Sequence, residues 1–188
     1  SRFIILTIGR MVEKKGHRFA LEALSILKKR GKDIQYWIIG DGPLKANLEN
    51  LVSNLGLEEE VSFLGKMNQN ELLEIICRAH VLVLPSITTE QGDMEGIPLV
   101  LMEAMATGLP VISTEHSGIP ELVVNGRTGL LVPEKDVVSL AEKIEILIDD
   151  PREVMRMTEE ARRLVESDYE IGGLNKRLDN MFHNLDWN

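Results

Sequence analysis

Six short apolar runs recur along the chain: Phe3–Ile8, Tyr36–Ile39, Val61–Leu64, Val81–Leu84, Val111–Ser113 and Gly129–Val132. They are nearly continuous in Val, Ile and Leu rather than alternating with polar residues, and strands of that kind are covered on both faces. Between them lie helical periods, at Phe19, Ala23 and Leu27, at Leu72, Ile76 and Ala79, and at Leu140, Ile144, Leu147 and Ile148. A last period, Ile171, Leu174, Leu178, Phe182 and Leu185, comes near the C-terminus. Strands alternating with helices imply right-handed crossovers. The expected fold is therefore α/β: a doubly wound, mostly parallel six-stranded sheet with helices on both faces. Residues 1–188 read as one domain, and three consecutive helices are expected after Pro133, separated near Pro151 and around Ser167–Asp168.

Charge narrows the functional classes. The net charge is −9, yet residues 1–32 carry nine Lys or Arg against two acids, a balance of +7, and the remainder carries −16. An acidic surface of that size repels nucleic acid. A local basic patch on it suits a small anion, although Lys28, Lys29, Arg30 and Lys32 read rather as complements to the negative end of a helix, which applies less to Arg10 and Lys15 before that helix. No stretch approaches the ~20 apolar residues of a membrane span. The single cysteine, Cys77, fits a reducing compartment, and a cytoplasmic location is expected. The start Ser1-Arg2, leading straight into an apolar run, reads as a cut from something longer.

In a doubly wound sheet, ligands bind beyond the carboxyl ends of the strands. The loops to weigh are thus Gly9–Gly16, Gly40–Pro43, Gly65–Asn68, Pro85–Gly96 and Thr114–Gly118. Arg10 and Lys15 in the first could supply the full charges a diphosphate needs, with glycines at both ends letting the backbone approach a ligand. A solvated charged turn is the bland alternative. Gly40-Asp41-Gly42 lacks the third glycine of a dinucleotide fingerprint, since Lys45 stands there, and reads as a tight turn. The segment Ser86–Gly96 is long for a connection in a compact domain, a mark of function. It delivers Glu95. Glu103 stands eight residues later, beyond Pro98, which suits a first helical turn. The apolar run around Glu103 predicts a deeply packed helix, on which an ionised carboxylate needs partners. Two acids there could hold a ligand rich in hydroxyl groups, or Glu103 could be a structural carboxylate. His17, His80, His116 and His183 show no paired metal-ligand spacing, and no metal site is expected.

Taken together the loops resemble the donor-binding, C-terminal half of a retaining GT-B glycosyltransferase, specifically glycosyltransferase family 4. The matching motifs, in family order, are Gly9-Arg10 through Lys15-Gly16, Gly40-Asp41-Gly42-Pro43, Val61-Ser62-Phe63-Leu64-Gly65, Pro85-Ser86, Glu95-Gly96 through Glu103-Ala104-Met105-Ala106, and Gly108-Leu109-Pro110-Val111-Ile112. Ser117-Gly118-Ile119-Pro120-Glu121 and Asn125-Gly126 through Gly129–Pro133 complete the set. The wording Gly92–Pro98 is similar to bacterial exopolysaccharide enzymes, including those of the colanic acid type.

The resemblance implies a Rossmann-like half of a GT-B fold and assigns roles. Gly9, Arg10 and Lys15 would meet the donor diphosphate, with Arg10, Lys15 and Glu95 as the catalytic set. Gly40 and the backbone of Gly65, Lys66 and Met67 would border the nucleotide and read its base. Gly96, Ile97, Pro98 and Leu99 would meet the sugar or phosphate, Glu95 the transferred sugar, and Glu103 the ribose. No cofactor is implied, because the nucleoside-diphosphate sugar is a substrate, and no metal is expected to assist. The Thr88–Met94 stretch is longer than the commonest family form. Ile97-Pro98 replaces the usual aromatic-Gly pair, which removes one backbone donor. The family carries its acceptor site on a separate N-terminal domain for which these residues leave no room. The chain is therefore expected to bind a donor, UDP-linked first and GDP-linked second, and to transfer little or nothing alone. Acceptor contact and any membrane association, peripheral at the inner face, would belong to the full-length enzyme. A non-catalytic nucleotide-sugar-binding module with the same fold is the alternative, and a purely structural domain would leave the glycine loops unexplained.

Overall fold

The computed structural model describes residues 2–169. Strands β1 (Phe3–Ile8), β2 (Ile34–Ile39), β3 (Val61–Gly65), β4 (Val81–Leu84), β5 (Val111–Thr114) and β6 (Leu130–Val132) form one sheet in the order β3-β2-β1-β4-β5-β6. Each of these pairings is parallel, so the sheet is wholly parallel where a mostly parallel one was expected. The apolar runs fall on the strands, with small shifts: β2 begins two residues early, at Ile34, and β6 begins at Leu130 rather than Gly129.

Helices α1 (His17–Lys29), α2 (Lys45–Leu55) and α6 (Val137–Asp149) cover one face. Their buried residues, such as Leu24, Leu48 and Ile144, meet Ile5, Tyr36, Ile38, Val83 and Ile112 of the sheet. On the other face α3 (Gln69–Ile76), α4 (Leu99–Thr107), α5 (Ile119–Leu122) and α7 (Pro151–Leu164) pack on Leu6, Trp37, Leu82, Leu84, Val111 and Leu131. Successive strand residues thus enter opposite cores, which is why the runs show no polar alternation.

Local chemistry sets the helix boundaries. Asn68 and Glu71 form a reciprocal capping box on α3, and Asp136 and Asp150 cap α6 and α7, the latter with Pro151 in its first turn. Ala79 lies beyond the end of α3, so that predicted period runs three residues too far. The helix α2, which the periodicity did not single out, buries only Leu48 and Val52. After Pro133 two of the three expected helices are seen, α6 and α7, with a short π-helical turn at Val165–Tyr169. The period from Ile171 to Leu185 lies outside the described residues.

Of the four basic residues near the end of α1 all but Lys29 are absorbed by ion pairs: Lys28 with Glu60, Arg30 with Glu145, and Lys32 with Glu145 and Asp149. Those residues tie α1 to α6 and to the start of β3, so the charge available to a ligand lies elsewhere in the first 32 residues. Among the described residues no helix is long and apolar enough to cross a membrane.

Candidate active site

The strand order reverses between β1 and β4, each of which neighbours the other and continues away from it. The loops leaving those two strands, residues 9–16 and 85–98, therefore face each other across the carboxyl end of the sheet, the position where doubly wound folds hold ligands. Main chain meets main chain along this seam. Gly16 has φ 67°, and a Cβ there would lie 1.8 Å from the Pro85 carbonyl oxygen. Gly40, at φ 132°, is as close to the next loop, its hypothetical Cβ 2.1 Å from the Gly9 carbonyl oxygen. The glycines at the ends of the first loop were expected to let the backbone approach a ligand; Gly16 admits a neighbouring loop instead, and Gly40, read as part of a tight turn, does so as well. Hydrogen bonds complete the junction: Met11 N–H donates to Asp41 O, Leu44 N–H to Met11 O, and Ile87 N–H to Lys14 O.

A 3₁₀ turn, Glu13–Lys15, swings Lys15 inward. Its ammonium lies 2.8 Å from Glu95 Oε1 and 3.0 Å from Oε2, with the two side chains only 16% and 9% exposed. Ser86 Oγ donates to Glu95 Oε2 at 3.3 Å. Lys14 repeats the pattern at the surface with Asp93, at 3.1 Å. The long loop is therefore not a loose polar excursion. Ser86, Ile87 and Thr89 are buried, the Thr114 hydroxyl holds Ser86 O, and a turn closes over residues 89–93 through Thr89 N–H to Asp93 O.

An open cavity of ≈ 470 Å³, whose lining does not include Lys15 or Glu95, is bordered by Arg10, Gly40, Asp41, Gly42 and Lys66. Arg10 is exposed and its guanidinium has no hydrogen bond or ion pair among the described residues. Lys66 stands 3.9 Å from Asp41. Gly65 joins the same rim through its carbonyl, which accepts from Gly40 N–H. Met67 packs instead against the core beneath α3 and α4. The structure thus brings Arg10, Gly40 and Lys66 together, with Gly9 N–H bonded to Ile39 O at the carboxyl end of β2 and Gly65 O to Gly40 N–H just past it, and sets Lys15 with Glu95.

The acids reach α4 differently from expectation. Pro98, at φ −67° and ψ 124°, is the extended residue before the helix and not part of its first turn. No side chain caps α4. Ile97 packs against Gly118, Gly96 is exposed, and Leu99 is 70% exposed. Glu103 is exposed and has no hydrogen bond or ion pair among the described residues, whereas a partly buried, partnered carboxylate was expected. The reason is geometric. Leu101, Ala104 and Met105 take the buried stripe of α4, and at about 100° per residue position 103 falls outside it.

Two residues passed over in the sequence complete the site. The Glu95 N–H donates to Nε2 of His116 at 3.1 Å, and Nδ1 of His116 lies 2.6 Å from Glu134 Oε1. An Nε2 that accepts leaves a proton on Nδ1 to donate to the carboxylate. Thr88 donates to Glu134 from both its N–H (2.8 Å) and its hydroxyl (3.1 Å). Burial alone would raise the Glu134 carboxyl, but hydrogen bonds from His116 and Thr88 outweigh it and hold its pKa below the ordinary value. The signal that could have found both residues is positional, since each lies just past the carboxyl end of a strand, β5 or β6. Elsewhere, His17 at the start of α1 is 2% exposed with neither ring nitrogen hydrogen-bonded. Burial, reinforced by the Lys15 charge, lowers it to about 4. Among the described residues no cluster of three or more His, Cys, Asp or Glu side chains is placed to hold a metal ion.

A six-stranded parallel Rossmann-like sheet with charged loops gathered at its switch point is the architecture of one half of a GT-B fold. The chain belongs to the family described as glycosyl transferases group 1, whose profile matches residues 1–164. It is 41% identical over 182 residues to the putative colanic acid biosynthesis glycosyltransferase WcaL of Escherichia coli (strain K12), covering 96% of this chain and 45% of that protein. It is 44% identical over 165 residues to the amylovoran biosynthesis glycosyltransferase AmsK of Erwinia amylovora, covering 88% and 40%. The chain thus spans less than half the length of these relatives. In three dimensions it is similar to Anabaena Alr3699/HepE, solved in complex with UDP, with a TM-score of 0.85, 22% identity and coverage of 98% of this chain and 49% of that one. The glycosyltransferase family 4 resemblance and the expected fold agree with these findings.

Proposed function

We propose that this chain is the nucleotide-sugar-binding half of a retaining glycosyltransferase that moves a hexose-type sugar from a nucleoside-diphosphate sugar to a glycan, lipid-linked or small-molecule acceptor. The observations that carry this reading are the nearly buried Lys15–Glu95 pair at the strand switch point and, on the loops after β1, β2 and β3, a cavity into which Arg10 brings a guanidinium unpaired among the described residues. A nucleotide sugar offers a diphosphate and two sets of hydroxyls. Cations on one loop and acids on the facing one match that chemistry. Arg10 takes the diphosphate, and Lys15, with three N–H donors and two of its contacts on Glu95, has one left for a phosphate oxygen. Charge that develops on the departing diphosphate is then stabilised by fixed cations without a metal.

Glu95 faces the transferred sugar, the exposed Glu103 bonds the ribose, and the main chain at Gly65–Met67 borders the base. The uncapped start of α4 adds backbone donors for the sugar or phosphate. UDP ranks first because a neighbour of the same fold was solved with it, and GDP second. The acceptor is met through a domain beyond these residues, and in the full-length enzyme that domain would also carry any peripheral contact with the inner face of a membrane.

Calorimetry of the chain with UDP, GDP, ADP and UDP-glucose, with and without Mg²⁺, tests the reading. Binding of a nucleoside diphosphate that survives removal of Mg²⁺ is expected; failure to bind any of them overturns it. Measurable transfer to a defined acceptor by these 188 residues alone would overturn the division of labour between two domains.

A further inference from the structure

We propose that His116 and Glu134 are a positioning pair that fixes the Glu95 main chain, and with it the Glu95 carboxylate, where the site meets the sugar of its ligand. This deepens the donor-site reading and rests on it.

The hydrogen bonds form a staple. Glu134 takes both donors of Thr88, before the 89–93 turn, and His116 takes the N–H of Glu95 after it. The 2.6 Å contact between His116 and Glu134 joins the two holds. The long loop is therefore clamped on both sides of its exposed tip, and its clamped end carries the acid that faces Lys15. An imidazole alone could turn about its ring axis. The Glu134 carboxylate fixes which nitrogen carries the proton and thereby presents Nε2 as an acceptor to Glu95, a supporting arrangement of the kind that orients histidines in active sites.

Two further features set this pair apart from an ordinary loop contact. His116 is 1% exposed, so water does not compete for its nitrogens. The residues immediately after the two partners, Ser117 (φ 48°) and Lys135 (φ 65°), are the non-glycine residues with positive φ among those described. Left-handed backbone at non-glycine positions persists where surrounding contacts impose it, and it concentrates at functional sites. Here it lies directly beside each member of the pair.

The two ends of the imidazole can be tested separately. In His116→Gln the amide oxygen can replace Nε2 as the acceptor for Glu95. In His116→Asn the shorter amide can replace only the Nδ1 donor to Glu134. Calorimetry of the 188-residue chain would use UDP with UDP-glucose, and GDP with GDP-mannose. Binding of the nucleotide sugar is expected to weaken roughly tenfold in His116→Asn, the loss of about one hydrogen bond. The free nucleotide should change less than about twofold, and His116→Gln should retain most of the sugar-dependent affinity. Glu134→Ala, which leaves the ring but removes what orients it, should share the sugar-selective loss and serves if His116→Asn does not fold. Equal losses for nucleotide and nucleotide sugar, or no loss in His116→Asn and Glu134→Ala, would overturn the proposal. If the wild-type chain binds no nucleotide, the donor-site reading fails and a role at the sugar fails with it. Histidine ¹⁵N NMR then still judges the clamp itself. It should show His116 as the Nδ1–H tautomer with a protected Glu95 amide, and the opposite tautomer would refute the geometry.

Discussion

Lys15 and Glu95, eighty residues apart in sequence, meet at 2.8 Å across the seam between β1 and β4, with side chains 16% and 9% exposed. Their charges cancel locally, and each is the other's main compensation for leaving water. Removing one alone strands the other, whereas removing both does not.

Lys15→Ala is therefore expected to lower stability by about 2 kcal/mol, less than for a fully buried pair because some solvent still reaches the lysine. Lys15→Ala combined with Glu95→Ala should lose less than the sum of the single variants. Urea unfolding of all three proteins checks this, and strict additivity would show that the pair is not coupled.

Arg10→Ala should leave stability within about 0.5 kcal/mol of wild type, since the guanidinium is exposed and unpaired among the described residues. It should weaken UDP at least roughly tenfold while leaving uridine unaffected, because a charged group recognises the diphosphate and not the base. Comparable titrations of the two ligands decide it.

Glu103→Ala is likewise expected to fold normally, because its carboxylate is exposed and unpaired among the described residues. Nucleotide affinity should fall roughly tenfold if it bonds ribose hydroxyls. Affinity equal to wild type would remove Glu103 from the site.

The pH dependence of stability has a specific source in His17. Its pKa is about 4 in the folded chain and 6.5 when unfolded, so between those values the unfolded chain holds a proton that the folded one does not. Acid thus favours unfolding. This contribution to stability is intact above pH 6.5, is lost as pH falls toward 4, and amounts to about 2 kcal/mol by pH 5. His17→Leu should remove that part of the slope, which chemical denaturation at about pH 7 and about pH 5 measures directly.

Gly16→Ala and Gly56→Ala place the same Cβ on nearly the same backbone, φ 67° and φ 64°. At Gly56 the space is open, and only the left-handed cost of about 1–2 kcal/mol is expected. At Gly16 the methyl group collides with the Pro85 carbonyl, so destabilisation should be clearly larger. Equal melting temperatures for the two variants would contradict the close approach of these loops.

The strands were legible because burial on both faces leaves continuous runs of Val, Ile and Leu, a pattern the chain shows six times. The loops that carry the site were legible for the same reason, since each begins where an apolar run ends. Adjacency is absent from that pattern. That Lys15 lies against Glu95 depends on β4 pairing with β1, and no local spacing encodes that order. His116 and Glu134 were missed because they come from different strand ends and owe their importance to a backbone N–H, which any residue but proline at position 95 would supply. Glu103 was misjudged because α4 is apolar beyond its buried stripe: Leu99 is 70% exposed, so hydrophobicity there did not report depth.

The glycine contacts between loops 9–16, 40–43 and 85–98 bear on how such a chain can diversify. Where one main chain touches another, lengthening either strand of the contact displaces both, so insertions and deletions are barred from the seam. Residues 90–94 are the exposed stretch of the clamped loop, and there extra length disturbs no neighbour's backbone. New ligand preferences are thus reached by exchanging side chains along the seam or by growing outward from that tip, which leaves the scaffold's connectivity untouched through many changes of specificity.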